Sequence, residues 1–475
     1  MYFNEYQDQD ALGLARLIRK GEVSASEVVL AALTRADAIN PKINAIVSRR
    51  DDVALAQTYA PLIKQPFGGV PFVFKDLDCW QEGWLAESGS KLWEGFVAPI
   101  DFTYTKRVKK AGFIPIARTA TSEFGLSIST DTTLCGLTRN PWGLEHSAGG
   151  SSGGTAAAVA AGIVPMGHGS DAGGSIRIPA ATCGLFGLKP TRGRNPLGPL
   201  LSEGWAGLAT QHVISRTVRD SAAMLDATHG FELGDPYCCP SPTRPFLAEV
   251  TAKPDKLRVA YHMIGLGEQQ LDPVNKAAIH DAVSLLEDMG HTVEEAFPMV
   301  NTEILSKAML AIVSTNQKQM LDNRYFQLGR EAEYGDVEPM TIAFAEYAAK
   351  FSAIDYANAI FAFHQLGRQF GEFFERYDIL VSTVLSDPLI EIKTTHTEYA
   401  TAKSVLEESW QAMPVTQFFN MTGCPAMSVP LFWPAQNLPI GIHIGAGFGR
   451  EDMLLRLASQ LEKARPWFFR RPRLL

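Results

Sequence analysis

The stretch from Ser147 to Arg194 constrains this chain more than any other, because it holds the one dense run of glycine and serine. It reads Ser147-Ala148-Gly149-Gly150-Ser151-Ser152-Gly153-Gly154-Thr155, passes through an alanine-rich segment, and returns as Gly169-Ser170-Asp171-Ala172-Gly173-Gly174-Ser175-Ile176-Arg177. Two turns of small residues, each with serine among glycines, are joined by one short helix. Glycine permits left-handed backbone and lets N–H groups approach a ligand closely. A serine hydroxyl in such a turn is exposed beside amide donors, and these are the parts of an acyl-transfer site.

Three chemistries use runs of this kind. A phosphate cradle needs Gly-Lys-Ser/Thr at its end, and the chain contains none. A nucleophile elbow needs G-x-S-x-G, which Gly149-Gly150-Ser151-Ser152-Gly153 satisfies, but also a strand before it. Asn140 to His146 read as a loop instead. The third is a serine nucleophile activated by a second serine and a lysine. Lysine can act as the base only where burial disfavours its ammonium form. The run Val70-Pro71-Phe72-Val73-Phe74 before Lys75 is apolar enough to bury that amine.

The span Ser147–Arg194, with Cys183-Gly184-Leu185-Phe186-Gly187-Leu188-Lys189-Pro190-Thr191-Arg192-Gly193-Arg194 at its end, resembles the amidase signature. Gly68-Gly69-Val70-Pro71-Phe72-Val73-Phe74-Lys75-Asp76 resembles the lysine strand of the same family. Phe419-Asn420-Met421-Thr422-Gly423-Cys424-Pro425-Ala426 and Gly449-Arg450-Glu451-Asp452 resemble its closing elements. The resemblance implies Ser175 as the acyl-forming nucleophile, Ser151 as a bridging serine that follows a cis peptide bond, and Lys75 as the base. The interval from Ser151 to Ser175 equals the family's usual one. The one departure is Ser170, where threonine is commoner, and it leaves the catalytic assignment intact.

On this reading Ser151 relays a proton between Lys75 and Ser175, and returns it to a departing amine, which leaves poorly as an anion. Backbone N–H groups of Ala172, Gly173, Gly174 and Ser175 hold the developing oxyanion. Asp171 and Arg177 shape the nucleophile loop by charge-assisted hydrogen bonds. Gly125 and Ser127, in Phe124-Gly125-Leu126-Ser127, align with a stretch on the family's substrate side. Each residue alone also has a plain structural reading. A glycine-flanked serine is usually a turn residue, and Lys75 beside Asp76 would make a solvated ion pair of little worth. His168 reads as a satisfied structural histidine, and Trp80, Trp205, Trp410 and Phe418 fit either a pocket wall or core packing.

The resemblance calls for no cofactor and no metal, and the ten histidines show no paired ligand spacing. A net charge of −8 without a basic stripe argues against nucleic acid as a partner. The six cysteines form no C-x-x-C pair and fit reduced thiols. Met1 to Tyr6 lack a basic and apolar leader pattern, and no apolar run is long enough for a bilayer. The expectation is a soluble cytoplasmic protein acting on a small amide, with no membrane partner. Homodimerisation is common among similar proteins.

Residues 9 to 40 read as two amphipathic helices, the second opening with the capping box Ser24-Ala25-Ser26-Glu27 and ending near Asn40-Pro41. A helix is expected from Thr155 to Gly162, a loop over Asp235–Pro242, a strand at Leu257–Tyr261, a helix from Pro273 to Met289, and strands at Thr292–Glu294 and Tyr377–Ser382. Alternating strands and helices imply an α/β fold, and the resemblance sharpens this to a large, mixed, twisted sheet sandwiched between helices. We expect one amidase signature domain over 1–475, with a helical segment at about 1–60, the signature core at about 65–235, and C-terminal completion at about 255–475. Within the family a free-standing amide hydrolase is favoured. A glutaminase like the catalytic subunit of glutamyl-tRNA amidotransferase would carry a Glu-Val-Lys-Arg-Arg-like motif, and Tyr347 to Phe370 hold nothing of that kind. The same site would also serve an esterase or carbamate hydrolase, and an idle binding subunit could keep the frame without the chemistry. No member of the triad is lost, which disfavours the idle form.

Overall fold

The computed structural model describes residues 5–253, 255–263, 270–388, 390, 402–434 and 438–474. Residues 1–4, on which part of the leader reading rests, lie outside the described residues.

An eleven-stranded mixed sheet runs through the molecule. In spatial order its strands are Ile46–Arg49, Ile114–Thr119, Pro71–Lys75, Met166–Asp171, Thr210–Ser215, Phe186–Lys189, Ala426–Phe432, Ile440–Ala446, Ile379–Thr383, Arg258–Tyr261 and Thr292–Glu295. Every residue of Pro71–Lys75, Met166–Asp171 and Ile379–Thr383 is buried, as strands covered on both faces require. Helices cover both faces, giving the α/β sandwich expected. No helix among the described residues is long and apolar enough to cross a membrane.

Pro71–Lys75 runs parallel to both Ile114–Thr119 and Met166–Asp171. Lys75 and Asp171 therefore end neighbouring parallel strands on the same edge of the sheet, where open α/β sheets bind ligands. The helix Gly153–Ala160 supports this edge. Gly153 through Val159 are all buried, and a Cβ at Gly154 would lie 2.3 Å from Ala120 N and 2.6 Å from Ala45 O. Its small residues are what allow so close an approach of helix to sheet.

Local signals locate most elements well. Ser24 and Glu27 form the reciprocal capping box at the start of Ala25–Ile43. That helix continues through Pro41 rather than stopping there. Proline there removes one helical N–H, the one that would reach the Asp37 carbonyl, but the Asn40 side chain ties the exit down, accepting from Ala45 N and Ile46 N at 2.8 Å each. A second difference lies before the signature. Gly143–Ser147 is a strand, paired in a small separate hairpin with Arg139–Asn140, where the sequence suggests a loop. It is not part of the large sheet, so the strand that an elbow requires is still missing.

Candidate active site

Lys75 is fully buried, and its Nζ donates to Ser151 Oγ at 2.7 Å and Ser170 Oγ at 2.9 Å. Burial lowers its pKa to about 8, against the opposing pull of Asp78 and Asp171. An ammonium has three N–H groups to satisfy, and this one meets two hydroxyls, so its charged form is less favoured here than in water. Asp76 does not pair with Lys75. It turns instead to the buried Arg118 at 3.3 Å. The Gly150-Ser151 peptide is cis, as the resemblance implies.

Ser175 follows the turn Ala172-Gly173-Gly174. Gly174 has φ of 145°, and a Cβ there would meet Ile178 Cδ1 at 2.8 Å and Thr416 Oγ1 at 3.1 Å, so the turn needs glycine. The N–H groups of Ala172, Gly173, Gly174 and Ser175 donate to no protein acceptor among the described residues. Free amides around a half-buried hydroxyl suit an oxyanion.

Behind this turn Arg177 is fully buried and clamps Asp171. Its Nε donates to Asp171 Oδ2 at 3.0 Å and Nη2 to Asp171 Oδ1 at 2.9 Å. Nη2 also donates to Asn420 Oδ1 at 2.6 Å, while Nη1 donates to Thr416 O at 2.8 Å and His443 Nε2 at 2.9 Å. Burial pushes the Asp171 carboxyl up, but the charge and hydrogen bonds of Arg177 and Asn420 prevail and hold it well below the usual carboxylate range. Asp171 Oδ2 accepts from Ile176 N at 3.1 Å, which ties the clamp to the nucleophile turn.

Two cavities meet at Ser175. The outer one, about 460 Å³, is also lined by Ser151, Ser170, Trp80, Trp93 and Phe96. Trp80 lies 5.1 Å from both Phe96 and Phe102. The inner one, about 80 Å³, is lined by Gly173, Gly174, Ile178, Val313 and Trp410 among others. Four non-glycine residues of the outer wall hold left-handed backbone: Asp78 at φ 62°, Ser88 at 54°, Phe124 at 48° and Trp205 at 50°. Such conformations are costly and gather at functional sites.

Gly125 lines both cavities, and a Cβ on it would lie 3.3 Å from Ser151 Oγ and 3.0 Å from Leu77 Cδ2. Ser127 lines the inner cavity alone of the two, with its hydroxyl accepting from Ser129 N at 3.1 Å. Trp80 and Trp205 are pocket walls, Trp410 serves both pocket and core, and Phe418 is buried in aromatic packing. His168 is buried, and its Nε2 faces Gln211 Oε1 at 3.0 Å. Burial holds its pKa well below the usual value. No cluster of three or more metal-ligating side chains occurs among the described residues. Sequence reasoning misses the contact of Ser170 with Lys75, and the parts played by Asn420 and His443. Asn420 stands in a motif that resembles a closing element of the family, whereas nothing local distinguishes His443.

The sheet thus brings a buried lysine beside glycine-framed serines that line one cavity. The chain belongs to the amidase family, which it matches over residues 27–455. It is 36% identical to the 6-aminohexanoate-cyclic-dimer hydrolase of Paenarthrobacter ureafaciens, over 98% of this chain and 97% of that enzyme. It is 32% identical to an acylamidase of Rhodococcus erythropolis, over 97% and 96% of the two chains. A solved structure of 6-aminohexanoate cyclic dimer hydrolase complexed with substrate aligns with a TM-score of 0.94 at 35% identity, over 99% of each chain. A glutamyl-tRNA(Gln) amidotransferase component from Thermotoga maritima shares the fold, with a TM-score of 0.80 at 23% identity over 100% of each chain.

Proposed function

We propose that this amidase works through a serine acyl-enzyme, with Ser175 as nucleophile, Ser151 as proton relay and Lys75 as base. The observation that carries the reading is the fully buried Lys75 Nζ at 2.7 Å from Ser151 Oγ, on the wall of a cavity that Ser175 shares. Neutral Lys75 takes the proton that Ser175 gives up through Ser151, and the Ser175 oxygen attacks the amide carbon. Negative charge gathers on the carbonyl oxygen, facing the N–H groups of Ala172, Gly173, Gly174 and Ser175. The proton returns through Ser151 to the nitrogen, the C–N bond breaks, and the amine leaves. Water repeats the path on the Ser175 ester and releases the acid. Asp171 and Arg177 keep the turn in place and touch no reacting atom.

The test is amine or ammonia release from a panel of linear, aromatic and cyclic amides, including 6-aminohexanoate cyclic dimer and glutamine, with wild type and Ser175→Ala side by side. Turnover of one or more amides is expected, falling by about a thousandfold or more in the variant. Turnover of glutamine alone would favour the glutaminase reading, and turnover of matched esters without amides would favour an esterase. Activity that survives in Ser175→Ala would overturn the mechanism.

A further inference from the structure

The outer and inner cavities share Gly125, Ala172, Ser175 and Trp205, so they join at the attacking hydroxyl. They are not equivalent with respect to the proton. Ser151 and Ser170 line the outer cavity, and neither is among the residues lining the inner one. Their walls differ too. The inner cavity is small, with apolar walls at Ile178, Met309, Val313, Leu406, Trp410 and Met413 and polar groups at Ser127, Ser409 and Gln417. The outer one is several times larger, with an aromatic side at Trp80, Trp93 and Phe96. Its other side carries the carboxamides of Asn316, Gln319 and Asn323, three residues at helical spacing on Thr302–Leu328.

We propose that these two cavities divide the substrate at its scissile bond, the acyl chain entering the inner one and the amine occupying the outer one. The inference rests on Ser175 as nucleophile and Ser151 as relay. The tetrahedral carbon then has four substituents. One is Ser175 Oγ, and one is the oxyanion facing the free N–H groups of the Ala172–Ser175 turn. The third is the nitrogen, which must lie within hydrogen-bond reach of Ser151 to receive its proton as the C–N bond breaks. This places the leaving group on the Ser151 side, in the outer cavity. The fourth substituent, the acyl chain, is left with the inner cavity, whose lining includes Ile178, Val313 and Trp410 but not Ser151.

In the acyl-enzyme the chain stays in the inner cavity, bonded to Ser175. The protonated amine departs through the outer cavity, and water enters by the same way and passes its proton to Ser151. The acid half is selected narrowly, because a space of only about 80 Å³ with mostly apolar walls admits a short unbranched chain and excludes a bulky one. The amine half is selected loosely, because the outer wall offers aromatic rings and carboxamides and also the charged Asp78, Glu203 and Arg324. The substrate class is thus an amide of a short apolar carboxylic acid with a larger amine.

The experiment measures kcat/KM for anilides of acetic, butyric, hexanoic and decanoic acids, and for butyramides of ammonia, aniline and naphthylamine. Wild type, Val313→Phe, Trp410→Ala and Ser175→Ala are compared. In wild type each methylene that fits should raise kcat/KM about fourfold, up to a sharp cut-off, while the amine series changes gradually. Val313→Phe moves the cut-off to shorter acids and Trp410→Ala to longer ones, with the amine ranking kept in both. A cut-off in the amine series instead, or an acid profile that neither variant moves, overturns the division. If a variant fails to fold, the wild-type profiles decide by the same criterion. Activity persisting in Ser175→Ala would instead overturn the underlying mechanism, which separates the two failures.

Discussion

On one side of Ser175, Lys75 Nζ meets two hydroxyls and no carboxylate, while on the other every N–H of Arg177 has an acceptor. Both cations are fully buried, yet they face opposite electrostatic terms. The Lys75 ammonium is desolvated without a hydrogen-bonded counter-ion, so its proton is loosely held. Arg177 carries a charge that it cannot shed, and Asp171 neutralises it in a two-pronged geometry. On the proposed mechanism, the buried group that serves as base is left short of partners, and the one that holds the turn's shape is saturated.

The sharpest way to break the comparison is to replace each cation by methionine. Lys75→Met should lower turnover by about a thousandfold or more while leaving the melting temperature unchanged or higher, because a costly buried amine is gone. Arg177→Met should do the reverse to stability. It strands the buried Asp171 charge, and loss of one partner of such a pair costs about 3–5 kcal/mol, readable in denaturant unfolding. Equal stability losses in the two variants would show that the clusters are not opposed in kind.

A smaller effect tests how tightly the reactive side is positioned. Gly125→Ala puts a methyl 3.3 Å from Ser151 Oγ, on backbone with φ of 77°. We expect kcat to fall about ten- to a hundredfold, with much less change in a cavity ligand's affinity. A rise in KM alone would place Gly125 in binding rather than in support of the relay.

The smallest effect concerns the proton itself. The base acts as a neutral amine, so kcat/KM should rise with pH through an inflection near 8. Asp78 opposes deprotonation of Lys75. Asp78→Asn should therefore move the inflection to lower pH, by less than about one unit for a partly solvated charge. A shift to higher pH would mean that Asp78 acts on the profile by another route.

The reactive side is far more legible in the sequence than the supporting side. Lys75, Ser151 and Ser175 stand in glycine-rich or apolar contexts whose chemistry can be stated without coordinates, and the capping box at Ser24 is equally plain. Ser170 reads as a harmless replacement, but the end of its strand aims its hydroxyl at Lys75. Asn420 and His443 reach Arg177 from far along the chain, and no local pattern records such a meeting. Proline at position 41 suggests a helix end, yet the carboxamide of Asn40 caps a helix that runs past it.

The sequence by itself determined the α/β alternation and, through its resemblance to the amidase signature, the family, and it nominated the residues we propose for acyl transfer, because glycine-framed turns and an apolar run before lysine are local properties of the chain. Tertiary structure alone decided that Lys75 loses its charge readily while Arg177 keeps its own, and that the cavity at Ser175 has a wide and a narrow lobe. Those outcomes depend on which atoms surround a side chain after distant strands and helices pack, and desolvation, pairing and volume exist only in that packed state.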